Sequence, residues 1–381
     1  MRHTTRVVLA LTFLTACAFS CWAVGDEDPF AFDIGLRLFG ADIGIGYRGL
    51  ALLPNADTTI WAYVGGGYET EHYYRDPSGD FLAPGSLAPG GVFDGLNAAF
   101  QRIEGAWRLG VDQGFAWNDR TKTNLVEAFL FYRGRYDINQ IQPGLVLYNA
   151  SILDKDGILL NTLQAGLGYN DLLFNKKNKT QSGFAAEASA EWGPAFFFNT
   201  LIGNSDFIRF NATFRAFLPL YDAAPSGSAN LLSIYAGEFA AIDYAIGIGQ
   251  AVPLYIRQSF GGRIQTTGLG GDVRGVDNGG YDANLKAVNN LELRVNLPSI
   301  CWPDLVPGVV VFFDAGYYDQ VGEIGTPTPT PSGIVASTGA GIYIDLLDLA
   351  SIAAYVEYRL DSINADGQHL WPFNVEFGMH F

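Results

Sequence analysis

Apolar and polar residues alternate strictly over several long segments of the chain. A β-strand directs successive side chains to opposite faces, whereas a helix would scatter the same pattern around its circumference. The alternation therefore predicts β-strands at 184–192, 208–218, 285–297, 351–360 and 371–381. In the last of these segments the apolar face consists of Trp371, Phe373, Val375, Phe377, Met379 and Phe381.

The length of these segments favours a transmembrane barrel over a soluble β-sandwich, which also alternates. Strands of globular proteins cluster near five or six residues, whereas a tilted strand needs about 9 to 11 residues to cross a bilayer. The polar faces contain several charges per strand, as a wet lumen requires, and aromatic residues lie near the strand ends. We therefore predict an all-β protein, a transmembrane antiparallel β-barrel of about sixteen strands.

The positions of loops and turns predict the orientation of this barrel. If Phe381 ends on the periplasmic side, the segments 261–282, 322–332 and 361–370 are extracellular. The short turns at 298–307 and 346–350 are then periplasmic, and we expect the long 70–95 loop to face outwards. Long outer loops and short inner turns are typical of outer-membrane barrels.

Composition agrees with an all-β membrane protein. Of the 381 residues, 14% are aromatic and only 16% are charged, against about 25% in ordinary soluble domains. The formal net charge of −16 argues against nucleic acid as a partner, because duplex binding requires a basic surface.

The N-terminus predicts export from the cytoplasm. Arg2, His3 and Arg6 precede an apolar run at 7–19, the layout of a secretory signal peptide. Cleavage after Ala23 would leave three domains: a signal peptide at 1–23, a short segment at 24–31 and the barrel at 32–381. The sequence LTAC at 14–17 also resembles a lipobox, and its use would leave a lipid-modified Cys17 instead.

A series of motifs occupies the C-terminal third of the chain. PLYIRQSFGG at 253–262 is followed by VRG at 273–275, ELR at 292–294, FFDAG at 312–316 and STGAG at 337–341. In this order the motifs resemble the bacterial surface antigen barrel of the BamA/TamA outer-membrane assembly superfamily, which includes two-partner secretion transporters.

The resemblance implies an extracellular loop that folds back into the lumen. Its V-R-G arginine would meet the F-x-D-x-G strand, so that a structural and functional latch forms. The inward parity of several charged residues agrees with a confined site of paired charges. The implied latch residues are Val273, Arg274, Gly275, Phe312, Asp314 and Gly316; the inward lumen charges are Glu292, Arg294, Glu357 and Arg359; the terminal strand signal is Trp371, Phe373, Phe377 and Phe381.

Three features depart from the family pattern. Val276 stands where the family has an aromatic residue after V-R-G, and the insertion 263–271 separates Gly-Gly from V-R-G. Only residues 24–31 precede the first expected strand, too few for the periplasmic POTRA repeats of the assembly factors. We therefore expect a barrel-only member, with periplasmic accessory proteins supplying the POTRA function.

The sequence supports three functional hypotheses and gives no sign of an enzyme. The spacing of His72, His369 and His380 does not fit a metal-binding motif. No serine and histidine pair lies on one strand face, and we expect no cofactor. The first hypothesis is assembly or insertion of outer-membrane proteins through a weak seam between the first and last strands. The alternatives are a pore or transporter plugged by loop 261–282, and a structural barrel presenting surface loops 70–95 and 322–332.

Overall fold

A computed structural model describes most of the chain after the expected signal peptide. The signal peptide, Cys17, Phe381 and most of loop 322–332 lie outside the described residues, and so do His369 and His380. The described residues are 29–37, 40–53, 56–77, 79–83, 85–175, 179–223, 232–300, 305–319, 332–346, 350–360 and 370–379.

Among the described residues, fifteen strands form one antiparallel sheet. Most of them are 10 to 20 residues long, as the length argument for a membrane barrel requires. The strands are β1 Phe30–Arg37, β2 Gly40–Leu53, β3 Ala56–His72, β4 Ala99–Asn118, β5 Thr123–Gln140, β6 Gly157–Asn170, β7 Leu173–Asn175, β8 Thr180–Gly193, β9 Phe207–Asp222, β10 Ser233–Gly247, β11 Leu285–Asn296, β12 Leu305–Asp319, β13 Ser332–Leu346, β14 Ala350–Arg359 and β15 Leu370–Met379.

Apart from the short β7, each strand pairs with its neighbour along the chain, so the sheet is a continuous meander from β1 to β15. The three-residue β7 pairs only with β8 and lies off this path, which leaves fourteen strands around the wall. Because β1 and β15 approach within 8 Å between Cα atoms, the sheet curves into a barrel. Among the described residues no ladder joins β1 to β15, and the sheet is not closed.

The wall of the barrel is apolar outside and polar inside. On β12, Val311 and Phe313 are exposed, whereas Phe312 and Asp314 are buried in the interior. The same alternation exposes Val356 and buries Glu357 on β14. This distribution of apolar side chains is the reverse of that in a soluble protein and is expected of a barrel surrounded by lipid. The predicted transmembrane antiparallel barrel is confirmed.

Strand boundaries differ slightly from the sequence prediction. The sheet begins at Phe30 rather than at residue 32, and β12 begins at Leu305, inside the predicted 298–307 turn. The estimate of about sixteen strands is close to the fifteen observed.

The non-strand segments are short. Helix α1 is Leu254–Gln258 and α2 is a kinked turn at Leu269–Asp272; a 3-10 turn lies at Leu147–Asn149 and a π-type turn at Ala195–Asn199. Within the described ranges, no helix has both the length and the apolarity needed to cross a membrane. The long connections 73–98, 141–156, 194–206 and 248–284 all lie at one end of the barrel, since they follow strands of the same direction.

Candidate functional site: a loop anchored inside the barrel

The segment 248–284 between β10 and β11 folds back into the barrel interior, and we call it the lumen loop. Gln258 donates from Nε2 to the carbonyl of His72 at the end of β3, at 2.9 Å. On the far side Tyr281 accepts a 2.8 Å hydrogen bond from Arg359 on β14. The loop therefore spans the lumen, as the resemblance implied.

Arg274 joins the lumen loop to β12 through a bidentate ion pair. Its Nε and Nη2 donate to the two carboxylate oxygens of Asp314, each at 2.7 Å. Its backbone N–H also donates to Asp314, at 3.1 Å, and Nη1 donates to Glu292 on β11 at 2.6 Å. Asp314 is completely buried, so this geometry supplies the partners that a buried carboxylate requires.

Aromatic rings and small residues shape the space around Arg274. The guanidinium lies 3.7 Å from the centroid of Phe312, a cation–π distance. Gly275 adopts a φ of +80°, which favours glycine, and a Cβ there would meet Glu357 at 3.3 Å. A Cβ on Gly316 would meet Val273 at 3.0 Å, so this glycine leaves room for the loop against β12.

An apolar cluster seats the base of the V-R-G turn against the wall. Val273 is completely buried and packs with Phe260, Leu269 and Val288. Val276, which replaces the aromatic residue of the family pattern, is buried in the same cluster. The loop thus docks without an aromatic residue at this position.

The predicted lumen charges all face inwards. Glu292 bridges Arg274 and Arg294, because its second oxygen accepts from Arg294 Nε at 2.6 Å. Glu357 and Arg359 on β14 are both 2% exposed, and both lie beside Gly275 of the lumen loop. Four of the predicted charges therefore surround the turn that contains Arg274.

The terminal strand signal is only partly described. The backbone of β15 pairs with β14, with Trp371 opposite Glu357 and Phe377 opposite Ile352. Phe373 lies in the same strand, near a register irregularity, and Phe381 lies outside the described residues. Its role as an assembly signal remains a prediction.

Arg263 forms a second anchor that the sequence analysis missed. Its guanidinium lies 2.5 Å from Glu127 on β5, 3.3 Å from Glu187 on β8 and 3.7 Å from Asp112 on β4. Glu187 stood on the predicted polar face of its strand, but residue 263 belongs to the insertion, which has no family motif to mark it. The only sequence signal for a cationic partner here was the inward parity of the three carboxylates.

The carbonyl of Arg263 extends this anchor. It accepts hydrogen bonds from Arg108 and Arg133, which face each other across β4 and β5. The formal charges of this cluster balance, because it contains three arginines and three carboxylates. The members are Arg108, Arg133, Arg263, Asp112, Glu127 and Glu187. The lumen loop is therefore held on two walls, by Arg263 against β4, β5 and β8, and by Arg274 against β11 and β12.

A third ion-pair cluster ties the lumen loop to the loop after β3. Asp282 accepts from Arg75 Nε at 2.7 Å, and its other oxygen lies 2.9 Å from Arg257 Nη1. Both Arg75 and Asp282 are almost fully buried. The long 73–98 connection thus packs over one end of the lumen loop.

Two cavities remain beside the lumen loop. One of about 440 Å³ is lined by Arg102, Arg133 and Arg263, and the other, of about 400 Å³, by Asp272 and Arg274. Burial raises the pKa of Asp272 to about 7, with a smaller contribution from the charge of Asp314. Hydrogen bonds from Thr266 and Gly268 oppose this shift.

The same residues offer no metal centre. Across the part of the chain that the structure describes, no group of three histidine, cysteine, aspartate or glutamate side chains could hold a metal ion. The ion pairs described above form a network that positions the lumen loop.

Comparison with known families agrees with this geometry. The Omp85 superfamily domain matches residues 104–375, which include the lumen loop and both of its anchors. The chain belongs to the Omp85 superfamily. It is an outer-membrane β-barrel. A search of curated proteins found no match to this chain.

Solved structures of Omp85 barrels resemble the fold at low sequence identity. BamA from Haemophilus ducreyi, lacking POTRA domains 1–3, is 14% identical with a TM-score of 0.50. That comparison covers 92% of this chain and 64% of the BamA chain, so the chain spans less than two thirds of that structure. CdiB from Escherichia coli is 12% identical with a TM-score of 0.47, over 93% of this chain and 62% of the CdiB chain. These likenesses concern the fold.

Proposed function

We propose that this Omp85 barrel assists the insertion or assembly of outer-membrane proteins through the gap between β1 and β15. The observation that supports the proposal is the open sheet, in which the two edge strands lie close together without a ladder among the described residues. An unpaired strand edge presents N–H and C=O groups that can template an incoming strand.

The energetics of the bilayer favour this mechanism. Unpaired backbone groups in lipid each cost several kcal/mol, so an open seam is poised to accept a partner strand. Strand β1 at this seam is only eight residues long, and a short membrane-spanning segment thins the surrounding bilayer. Both effects lower the barrier for a new strand to enter.

The arginine anchors supply rigidity to the rest of the wall. The lumen loop connects β3 to β14 through hydrogen bonds, so these strands form a braced body. Opening the seam between β1 and β15 then leaves that body intact. In this proposal the ion pair between Arg274 and Asp314 has a structural role. The functional step is the pairing of an incoming strand with the open edge of the barrel.

Depletion of the protein tests the proposal directly. The folded forms of other outer-membrane barrels should fall, and unfolded precursors should accumulate in the periplasm. Accessory proteins that supply POTRA function should then be recoverable by crosslinking to the barrel. Normal levels of the other barrels after depletion would contradict a general assembly role.

A plugged pore is a second candidate, because the lumen loop fills the interior. The two cavities beside the loop are small and are lined in part by charged side chains, and inward charges such as Glu292 and Arg294 would set selectivity if the loop moved. A solute would have to pass where the loop now lies. The conductance of loop variants distinguishes this function from assembly.

A further inference from the structure

Strand β8 does not extend as far as the beginning of β6, so this end of β6 has an uncovered edge. β8 pairs with β6 only from Leu163, which faces Trp192, to Asn170. The first residues of β6, from Gly157, therefore have no partner strand on that side. The connection 194–206 folds along this uncovered edge.

The side chain of Asn199 completes the missing hydrogen bonds. Its Oδ1 accepts from the backbone N–H of Asn161 at 2.6 Å, and its Nδ2 donates to the carbonyl of the same residue at 2.9 Å. The N–H of Leu159 donates to the carbonyl of Ile202 at 3.1 Å. One buried amide thus pairs with Asn161 as a neighbouring strand would. In lipid such pairing is required, because no water can satisfy the edge.

The outer side of this connection is apolar and exposed. Phe196, Phe198 and Leu201 are each 67 or 68% exposed, and the stretch 193–205 contains no charged residue. The ring of Phe196 lies 5.6 Å from Trp192, the last outward side chain of β8, in an edge-on arrangement. The exposed patch is therefore continuous with the lipid-facing surface of the wall.

The backbone at Phe198 is held in an uncommon conformation. Its φ of +66° lies in the left-handed region, which is rare for a bulky residue. Neighbouring contacts must hold this geometry in place, and Asn199, fully buried, is the adjacent contact. The strained turn directs Phe198 away from the barrel.

We propose that residues 195–202 form a membrane-embedded wedge whose partner is the acyl chains of the bilayer leaflet at the loop-rich end of the barrel. The continuity with Trp192, the absence of charge and the amide seal beneath the rings support lipid as the occupant. A water-facing loop would need neither an apolar outer surface nor a sealed edge. The other loops at this end differ, since the 73–98 connection contains Arg75, Asp76, Asp80 and Asp94.

Nitroxide labels on single cysteines test the location of the wedge. The full chain, with Cys17, Cys21 and Cys301 each replaced by serine, is reconstituted into phosphatidylcholine vesicles with a label at Phe196→Cys or Leu201→Cys. Val64→Cys, 64% exposed on the outer face of β3, is the lipid-facing control, and Val92→Cys, 86% exposed in the 73–98 loop, is the water-facing control. Collision rates with oxygen and with a water-soluble nickel chelate are measured at each site.

We expect labels at 196 and 201 to match the label at 64, with frequent collisions with oxygen and few with nickel. Values like those at 92 would place the loop in water and overturn the proposal. Low collision rates with both reagents would indicate a second copy of the chain against the wedge, and would overturn it equally.

A second variant tests the amide seal. Asn199→Ala removes both hydrogen bonds to Asn161, so the label at 201 should shift towards the value at 92. The label at 64 in the same variant reports whether the barrel is still folded. An unchanged value at 201 in a folded barrel would refute the role of Asn199 in holding the wedge.

Discussion

Arg274 and Asp314 show how one ion pair attaches a loop to the barrel wall. The pair is bidentate and Asp314 has no exposure to solvent, so its carboxylate has no water as an alternative partner. Burial of an ion pair contributes little net stability, but loss of one partner leaves the other charge uncompensated. The effect of a substitution therefore depends on which charge remains.

Arg274→Ala should destabilise the folded barrel by about 3 to 5 kcal/mol, because it leaves Asp314 as an unpaired buried charge. Asp314→Ala should cost less, because Arg274 keeps its ion pair with Glu292. The double variant should lose less than the sum of the two. Urea unfolding in detergent micelles measures the three free energies. Arg120→Ala is the control, since Arg120 pairs with Asp171 in an exposed turn and its loss should have little effect. Additive losses at 274 and 314 would contradict the coupling.

Asp272 should make loop docking dependent on pH. Its pKa is raised to about 7 from an ordinary value of 3.8, so the docked loop retains a proton that an undocked loop releases between these values. Docking is then strongest below about pH 4 and weakens as the pH rises through 7, with loop release increasing by at most about tenfold per pH unit for one proton.

Protease cleavage of the lumen loop between pH 5 and pH 8 measures this effect. Asp272→Asn should remove the dependence, because an amide cannot titrate but can still accept from Thr266 and Gly268. A wild-type pH profile that matches the profile of Asp272→Asn would refute the assignment to Asp272.

Sequence reasoning located one anchor of the lumen loop and missed the other. Phe312, Asp314 and Gly316 were predicted to share a face because a strand has a period of two, and a motif placed Arg274 opposite them. Arg263 lies in an insertion with no local pattern, and its partners are distant in sequence. Such non-local pairing cannot be read from periodicity.

At the scale of whole elements, strands in the C-terminal half of the chain could be predicted from their periodicity, whereas strands in the N-terminal half were harder to predict. The strands at 285–297 and 351–360 alternate cleanly, so their existence could be predicted. β3, Ala56–His72, contains the run Gly65 to Gly67, which interrupts the apolar face and obscures the period. The connection 194–206 seals the β6 edge through a side-chain amide, for which strand periodicity has no signal.

Deletion of residues 263–282 should raise single-channel conductance in planar bilayers if the lumen loop acts as a plug. This deletion removes both arginine anchors together with the segment between them. Arg263→Ala and Arg274→Ala should each give smaller or intermittent increases, because one anchor still holds the loop in either variant. Conductance unchanged by the deletion would argue against a plug.

At the scale of the whole molecule, the open seam distinguishes assembly from passive transport. A barrel used only as a pore has no need of an unpaired edge, whereas strand templating depends on it. The braced body from β3 to β14 confines any opening of the wall to the strands at its two ends.

Locking the seam should abolish assembly activity. Cysteines at facing positions of β1 and β15, in a background with Cys17, Cys21 and Cys301 replaced by serine, would join the two strands by a disulfide. Insertion of other barrels into vesicles should stop under oxidising conditions and return on reduction, while conductance should not change. Undiminished insertion by the crosslinked protein would contradict the proposed mechanism.

The lumen loop also constrains the order in which the barrel folds. Neighbouring strands of the meander can pair locally as hairpins, but Arg263 meets Arg108 across 155 residues of chain. Contacts of such sequence separation form slowly, because a long loop must close before they contribute. The N-terminal wall must therefore be in place before the loop can dock, and docking of the loop is the step that marks a completed barrel.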